Sequence, residues 1–297
     1  MLKSILFAVP VLIAYKLLYL VGLTPTVTDT TFFDYKMFSI QKRRIGDVAI
    51  MGVGSSETEY SLNSEMIANH FHLPFYNFAS LGFQISDMRA EYNTIGKEHR
   101  PQYIIVCSTI GDFLRAPGWD STYFDFLNVS RLIRSDFPEF FYASHYNSVY
   151  SIWHRKNVSS YIKFDPWGGL PRIVARKDID WKAWNARIDF PTACTGSQYR
   201  ELDSLAASLR EKGIKLIFIQ APIKAAFANT KEIKQTLMRH SDTCRSIVER
   251  QGGVYLNYYD TTIFTDTLFF DQFHLQAAGS KVLTQKLLID LDTIIKH

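Results

Sequence analysis

Two short stretches carry side chains that could do chemistry together. Gly54-Ser55-Ser56-Glu57 follows an apolar run, and Asp271-Gln272-Phe273-His274 lies near the far end of the chain, with Gly279 five residues past the histidine. A serine hydroxyl is inert until a base takes its proton. A histidine is the usual base, and a carboxylate holds its imidazole in the productive tautomer. Asp271 and His274 are three apart, so one turn lets them face each other. Ser56, His274 and Asp271 are therefore the catalytic candidates. Acyl transfer also needs donors for the developing oxyanion. The backbone N–H of Ser56 is one, and that of Gly82 is another, because glycine lets a backbone approach closely.

Other chemistries are poorly supplied. Three cysteines, Cys107, Cys194 and Cys244, are too few and too widely spaced for a disulfide scaffold or a zinc site. Cys194 and Cys244 could pair outside the cytoplasm, and the sequence leaves that open. His70 and His72 near a helix end read as surface residues. Neither a phosphate loop nor a dinucleotide fingerprint is present, and nothing calls for a cofactor or a metal. A net charge of +4 over 297 residues is too small to imply a nucleic acid partner.

Elements that would position these residues are legible as apolar runs alternating with helical periodicity. Residues 47–53, 75–79, 103–109, 215–221 and 254–258 read as strands. The run at 103–109 is continuous and apolar, as in a parallel sheet covered on both faces. Helices are expected after Asn63 or Ser64, over 84–99, over 197–212 up to Gly213, over 230–250 and near 276–295. Strand and helix in alternation predict a three-layer α/β/α sandwich around a five-stranded, mostly parallel sheet. In such sheets ligands gather at the carboxyl ends of the strands, where Ser56, Gly82, Gly111 and Asp112 all fall. The stretch 113–190 breaks the alternation. It holds 18 of the 43 aromatic residues, including all five Trp, and reads as an insertion. Trp119, Trp153 and Trp167, with Gly111 and Asp112, are candidates for substrate binding, and Trp181 and Trp184 add to the aromatic surface.

Residues 5–23 carry one charge, Lys16, in 19 residues. At ~1.5 Å per residue they reach roughly 28 Å, close to a bilayer core. This predicts an N-terminal membrane anchor over 1–23, a tether over 24–45 and a domain over 46–297. Lys3 before the span favours an N-inside arrangement, whereas Lys42, Arg43 and Arg44 argue the other way.

Gly54-Ser55-Ser56, the glycine after the second strand and Asp271-x-x-His274-Leu-x-x-x-Gly279 resemble the SGNH (GDSL-like) hydrolase superfamily over roughly residues 46–295, the aromatic insertion apart. The Gly-Ser-Ser-Glu form behind an N-terminal anchor is most similar to the branch of D-alanyl transfer proteins and of anchored proteins that work beside membrane-bound O-acyltransferases. The resemblance implies a flavodoxin-like fold, Ser56 as nucleophile, His274 as base, Asp271 as its partner and Gly82 as an oxyanion donor. It also implies an extracytoplasmic domain, periplasmic or on the outer face, acting as an esterase or O-acyltransferase on acyl esters of cell-envelope glycans. A non-catalytic, glycan-binding or scaffold partner of a membrane-bound O-acyltransferase is the alternative. The superfamily's third block usually supplies an Asn side chain to the oxyanion, and here that place reads Ile110-Gly111-Asp112. Loss of one such donor costs about 100- to 1,000-fold in rate. This departure favours a slow transferase, or a hole completed by a partner or by the insertion.

Overall fold

The computed structural model describes residues 45–114, 164–171, 194, 196–227, 230–259 and 263–295, together with the isolated positions 9, 10, 13, 14, 36 and 173. Each apolar run forms a strand, shorter than its sequence signal. The strands are β1 (Ile50–Gly52), β2 (Phe75–Asn77), β3 (Tyr103–Ser108), β4 (Lys215–Gln220) and β5 (Val254–Asn257). All are parallel, in the order β2-β1-β3-β4-β5. Register pairs Ile50 with Phe75 on one side and Tyr103 on the other, and Ile105 with Ile217.

Period-2 alternation divides the side chains between two cores. Met51, Ile104, Val106 and Phe218 face helices α3 (Ile85–His99), α4 (Gly196–Glu211) and α5 (Lys231–Arg250). Ile50, Ile105, Cys107, Ile217 and Ile219 face α2 (Ser64–Phe71) and α6 (Ala277–Leu291), beside the short α1 (Ser56–Ser61). The expected sandwich is therefore present. Asn63 caps α2, its Oδ1 accepting the Met66 N–H at 3.0 Å. Gly213, at φ +71°, closes α4 as the C′ signal predicted.

The chain runs from β1 outward to β2, then returns to place β3 on β1's other side. At such a reversal the loops leaving β1 and β3 diverge and open a crevice at the carboxyl edge. Ser56 follows β1 and Thr109–Asp112 follows β3, so the topology sets both at that crevice.

Cys107, Cys194 and Cys244 are free thiols. Cys244 packs beside His240, a fully enclosed imidazole whose Nδ1 lies 2.9 Å from the Tyr199 hydroxyl and whose ring meets Phe113 edge-on at 4.6 Å. Burial pushes its pKa down to about 3. Between about pH 6.5 and 3 the unfolded chain binds this proton and the folded one does not, so stability falls as pH falls through that window. The contribution is up to about 1.4 kcal/mol per pH unit. Urea titrations of wild type and His240→Gln across pH 7 to 4 should show a steeper acid loss in wild type.

Among the described residues no helix is long and apolar enough to cross a membrane. Of the anchor expected over 5–23 only positions 9, 10, 13 and 14 are among those residues, and Trp119, Trp153, Trp181 and Trp184 lie outside them.

Candidate active site

Gly54 lets the chain turn sharply from β1 into α1. A Cβ there would sit 1.9 Å from the Thr58 hydroxyl. That hydroxyl donates to Cys107 O at 2.7 Å and accepts the Cys107 N–H at 2.9 Å, which pins α1 against β3. Ser55 is the N-cap, its Oγ accepting the Glu57 N–H at 3.1 Å. Ser56 is then the first helical residue, and its N–H has no partner within the helix.

The loop after β2 follows the same edge. Ser80 N–H donates to Gly54 O at 2.9 Å, two residues before the serine. Gly82 has φ +75°, a conformation that favours glycine. Gln84 joins this loop to the one after β3, its Nε2 donating to Gly111 O at 3.3 Å. Gly82 is thus held on the serine's side of the sheet, as the sequence implied.

His274 comes from the segment between β5 and α6. Phe269 and Leu275 bridge its ends, and Phe270 N–H donates to His274 O at 3.0 Å. Asp271 Oδ1 accepts the N–H groups of Phe273 (2.9 Å) and His274 (2.8 Å). Its Oδ2 is 2.6 Å from His274 Nδ1. With Nδ1–H donating to Asp271, Nε2 is left to accept the Ser56 hydroxyl proton, 2.8 Å away. Residues 218 apart in the chain are thus joined in one hydrogen-bonded line.

Two aromatic residues hold the imidazole and were not singled out in the sequence. Phe270 stacks on it at 5.4 Å between ring centroids, and Tyr60 meets both rings edge-on at 5.4 and 5.2 Å. Tyr60 sits one helical turn after Ser56, so α1 presents the nucleophile and a wall for the base on one face. A helical reading of 56–60 would have revealed that spacing, but the helix is too short to show periodicity.

The electrostatics centre on the same imidazole. Burial works against the Asp271 carboxylate, but the hydrogen bond and charge of His274 and two backbone N–H groups outweigh it and hold it below the usual range. Burial also disfavours the His274 imidazolium, but Glu57, Asp271 and Asp112 raise its pKa to about 9. Glu57 is pushed up to about 8 by burial, with Asp112 and Asp271 adding and His274 opposing. The last two shifts belong to one coupled pair. Ionised Glu57 is the strongest support of the imidazolium, so protonating Glu57 lowers the His274 pKa.

Two of the residues proposed for substrate binding are buried or partly buried. Asp112 is only 5% exposed. It accepts the Ser108 hydroxyl at 2.7 Å, with a carboxyl that burial raises to about 6. Its carboxyl is close enough to Ser55, Glu57 and His274 to interact with each of them. Trp167 packs partly buried against the α2/α6 core, and its carbonyl accepts the Asn77 N–H at 2.8 Å, extending the edge at β2. Gly111 opens the 3-10 turn after β3, its N–H donating to Thr109 Oγ1 at 3.3 Å. Among the described residues no cluster suits a metal ion, and His70 pairs with Asp292 at 2.6 Å on the surface.

No family model and no curated protein matches the sequence. Solved structures do. A Streptococcus pneumonia protein described as a candidate platelet activating factor is 12% identical, covering 96% of this chain and 98% of that one at a TM-score of 0.50. LAE5, an alpha/beta hydrolase enzyme from the Lake Arreo metagenome, is 11% identical over 84% of this chain and 98% of its own, at 0.49. The lipase/acylhydrolase from Enterococcus faecalis is 11% identical over 83% and 96%, at 0.46. Identities this low speak to architecture alone, and what the chain shares with the pneumococcal protein is its five-stranded parallel α/β fold.

Proposed function

We propose that this chain is a serine acyl esterase or acyltransferase of SGNH type. One observation carries the reading: Ser56 Oγ lies 2.8 Å from His274 Nε2 while Nδ1 of the same ring lies 2.6 Å from Asp271. These are the distances a nucleophile, base and orienting carboxylate need. Ser56 Oγ attacks an ester carbonyl as its proton passes to His274 Nε2. The tetrahedral oxyanion is met by the N–H groups of Ser56 and Gly82. Collapse breaks the bond to the leaving alkoxide, which takes the proton back from His274 as an alcohol and leaves an acyl-serine. Water, or the hydroxyl of an acceptor, then attacks in the same way and releases Ser56.

The finer reading rests on sequence. The apolar run at 5–23 supports an anchored chain with its domain on the extracytoplasmic side, and the Gly-Ser-Ser-Glu resemblance supports an acylated or acyl-accepting cell-envelope glycan as substrate, with a membrane-bound O-acyltransferase as partner. The aromatic-rich insertion supports a surface for sugar or acyl groups.

A fluorophosphonate probe tests the nucleophile directly. Wild type is expected to label and Ser56→Ala to lose the label, both remaining folded by circular dichroism. Equal labelling would overturn the assignment and favour the non-catalytic partner reading.

A further inference from the structure

Glu57 follows the nucleophile and is only 4% exposed, yet the mechanism above gives it no task. Its Oε1 lies 3.8 Å from His274 Nε2, the nitrogen that takes the Ser56 proton. The carboxyl is therefore on the nucleophile's side of the imidazole, opposite Asp271. Thr109 Oγ1 donates to Oε1 at a long 3.4 Å, and Oε2, though buried, has no hydrogen-bond partner among the described residues. A buried carboxylate without partners is costly, and an ionised one here would repel a developing oxyanion. A neutral carboxylic acid has an O–H to donate. The neighbouring loop leaves room: a Cβ on Gly111 would meet only the Thr109 hydroxyl within 4 Å, and that at 3.2 Å.

We propose that Glu57, as a neutral carboxylic acid, donates a hydrogen bond to the oxyanion formed at Ser56 and so supplies the side-chain donor that Gly111 lacks. The proposal rests on the reading of Ser56 as nucleophile. Burial and two of the groups facing Glu57, Asp112 and Asp271, favour its neutral form, and together they outweigh His274 and the Thr109 hydroxyl, which favour the ionised one. Asp112 and Thr109 come from the loop after β3, Cys107 from β3 itself, and Asp271 and His274 from the loop before α6. The two carboxylates disfavour another charge, whereas His274 and the long Thr109 hydrogen bond oppose them. A proton moved from Glu57 to His274 gives an ion pair that is doubly unproductive, having neither a base nor a donor. The working form keeps that proton on Glu57, so one proton both completes the hole and frees the base.

Three variants assayed for kcat and KM on p-nitrophenyl acetate across pH 6 to 10 test this. Glu57→Leu removes an unpartnered buried acid without a void, so its melting temperature should be unchanged or higher. Its kcat should fall about 100- to 1,000-fold with KM little altered. Glu57→Gln keeps an N–H donor and should stay within about tenfold of wild type at the wild-type optimum. Wild type titrates as a pair near pH 8 and 9, so its kcat/KM should fall on both sides of that window. Glu57→Gln should lose the alkaline fall and move the acid fall lower. Glu57→Leu within tenfold of wild type, or Glu57→Gln as slow as Glu57→Leu, would overturn the proposal. Ser56→Ala separates the two readings. If it retains turnover, the nucleophile is wrong. If it is inactive while Glu57→Leu is fast, only the oxyanion role is wrong.

Discussion

Replacing His274 by alanine is expected to lower kcat on an ester by about 10⁴- to 10⁶-fold while KM barely changes. The imidazole is the proposed acceptor of the Ser56 proton, and among the described residues the other ionisable side chain within 4 Å of Nε2 is Glu57, at 3.8 Å, whose neutral form cannot accept it. The loss should be grossly non-additive. Ser56→Ala/His274→Ala should be no slower than either single variant, because the two residues perform one proton transfer. Asp271→Asn should cost about 10⁴-fold by a different route. Its amide would still fit beside Nδ1 but could turn the imidazole so that Nε2 carries the hydrogen and cannot act as base. Steady-state kinetics on p-nitrophenyl acetate measure all four. A His274→Ala enzyme within tenfold of wild type would show that this line of hydrogen bonds carries no catalysis.

How far this site was legible depends on what kind of signal each residue leaves. Ser56 and His274 stand at the ends of apolar runs, and a buried parallel strand announces itself by continuous hydrophobicity, so the crevice follows from strand order. Asp271-x-x-His274 is local, and its pairing needs one turn only. Gly82 marks a loop by its residue type. Glu57 and Tyr60 leave no such mark. Their roles come from α1, six residues pinned to β3 by Thr58, and a helix of that length has too few residues for an amphipathic pattern. Asp112 is ambiguous for a related reason: residue type at a strand end does not reveal the 5% exposure or the Ser108 hydroxyl that it accepts. Register, too, depends on how edge loops such as 164–169 pack, which composition does not encode.

Lys36 shows the same blindness across a longer distance, and its loss should have the largest effect on stability. It falls in the stretch 24–45 that reads as a tether, yet its side chain is fully enclosed. The ammonium pairs with Glu59 on α1 and donates to Ala79 O at 2.5 Å, in the loop that leads to Gly82. It also lies 5.2 Å over the Phe164 ring. Burial lowers its pKa against the pull of Glu59, Glu91 and Asp165, while burial raises Glu59 to about 7. One side chain thus joins the nucleophile's helix, the Gly82 loop and the 164–169 segment. Lys36→Met should cost about 3–5 kcal/mol, because it strands Glu59 and the Ala79 carbonyl in the interior. Adding Glu59→Gln should recover much of that, since the remaining burden is then one carbonyl and no unpaired charge. A chain beginning at residue 46 should lose as much as Lys36→Met, and urea titrations of these proteins with Glu59→Gln alone measure both the loss and the Lys36–Glu59 cycle. If the shortened chain unfolds at the wild-type midpoint, the lysine stabilises nothing and the stretch is a tether after all. If it unfolds early, whatever holds the N-terminal segment in place also holds α1 and the Gly82 loop, the two elements that carry Ser56 and its proposed oxyanion donor.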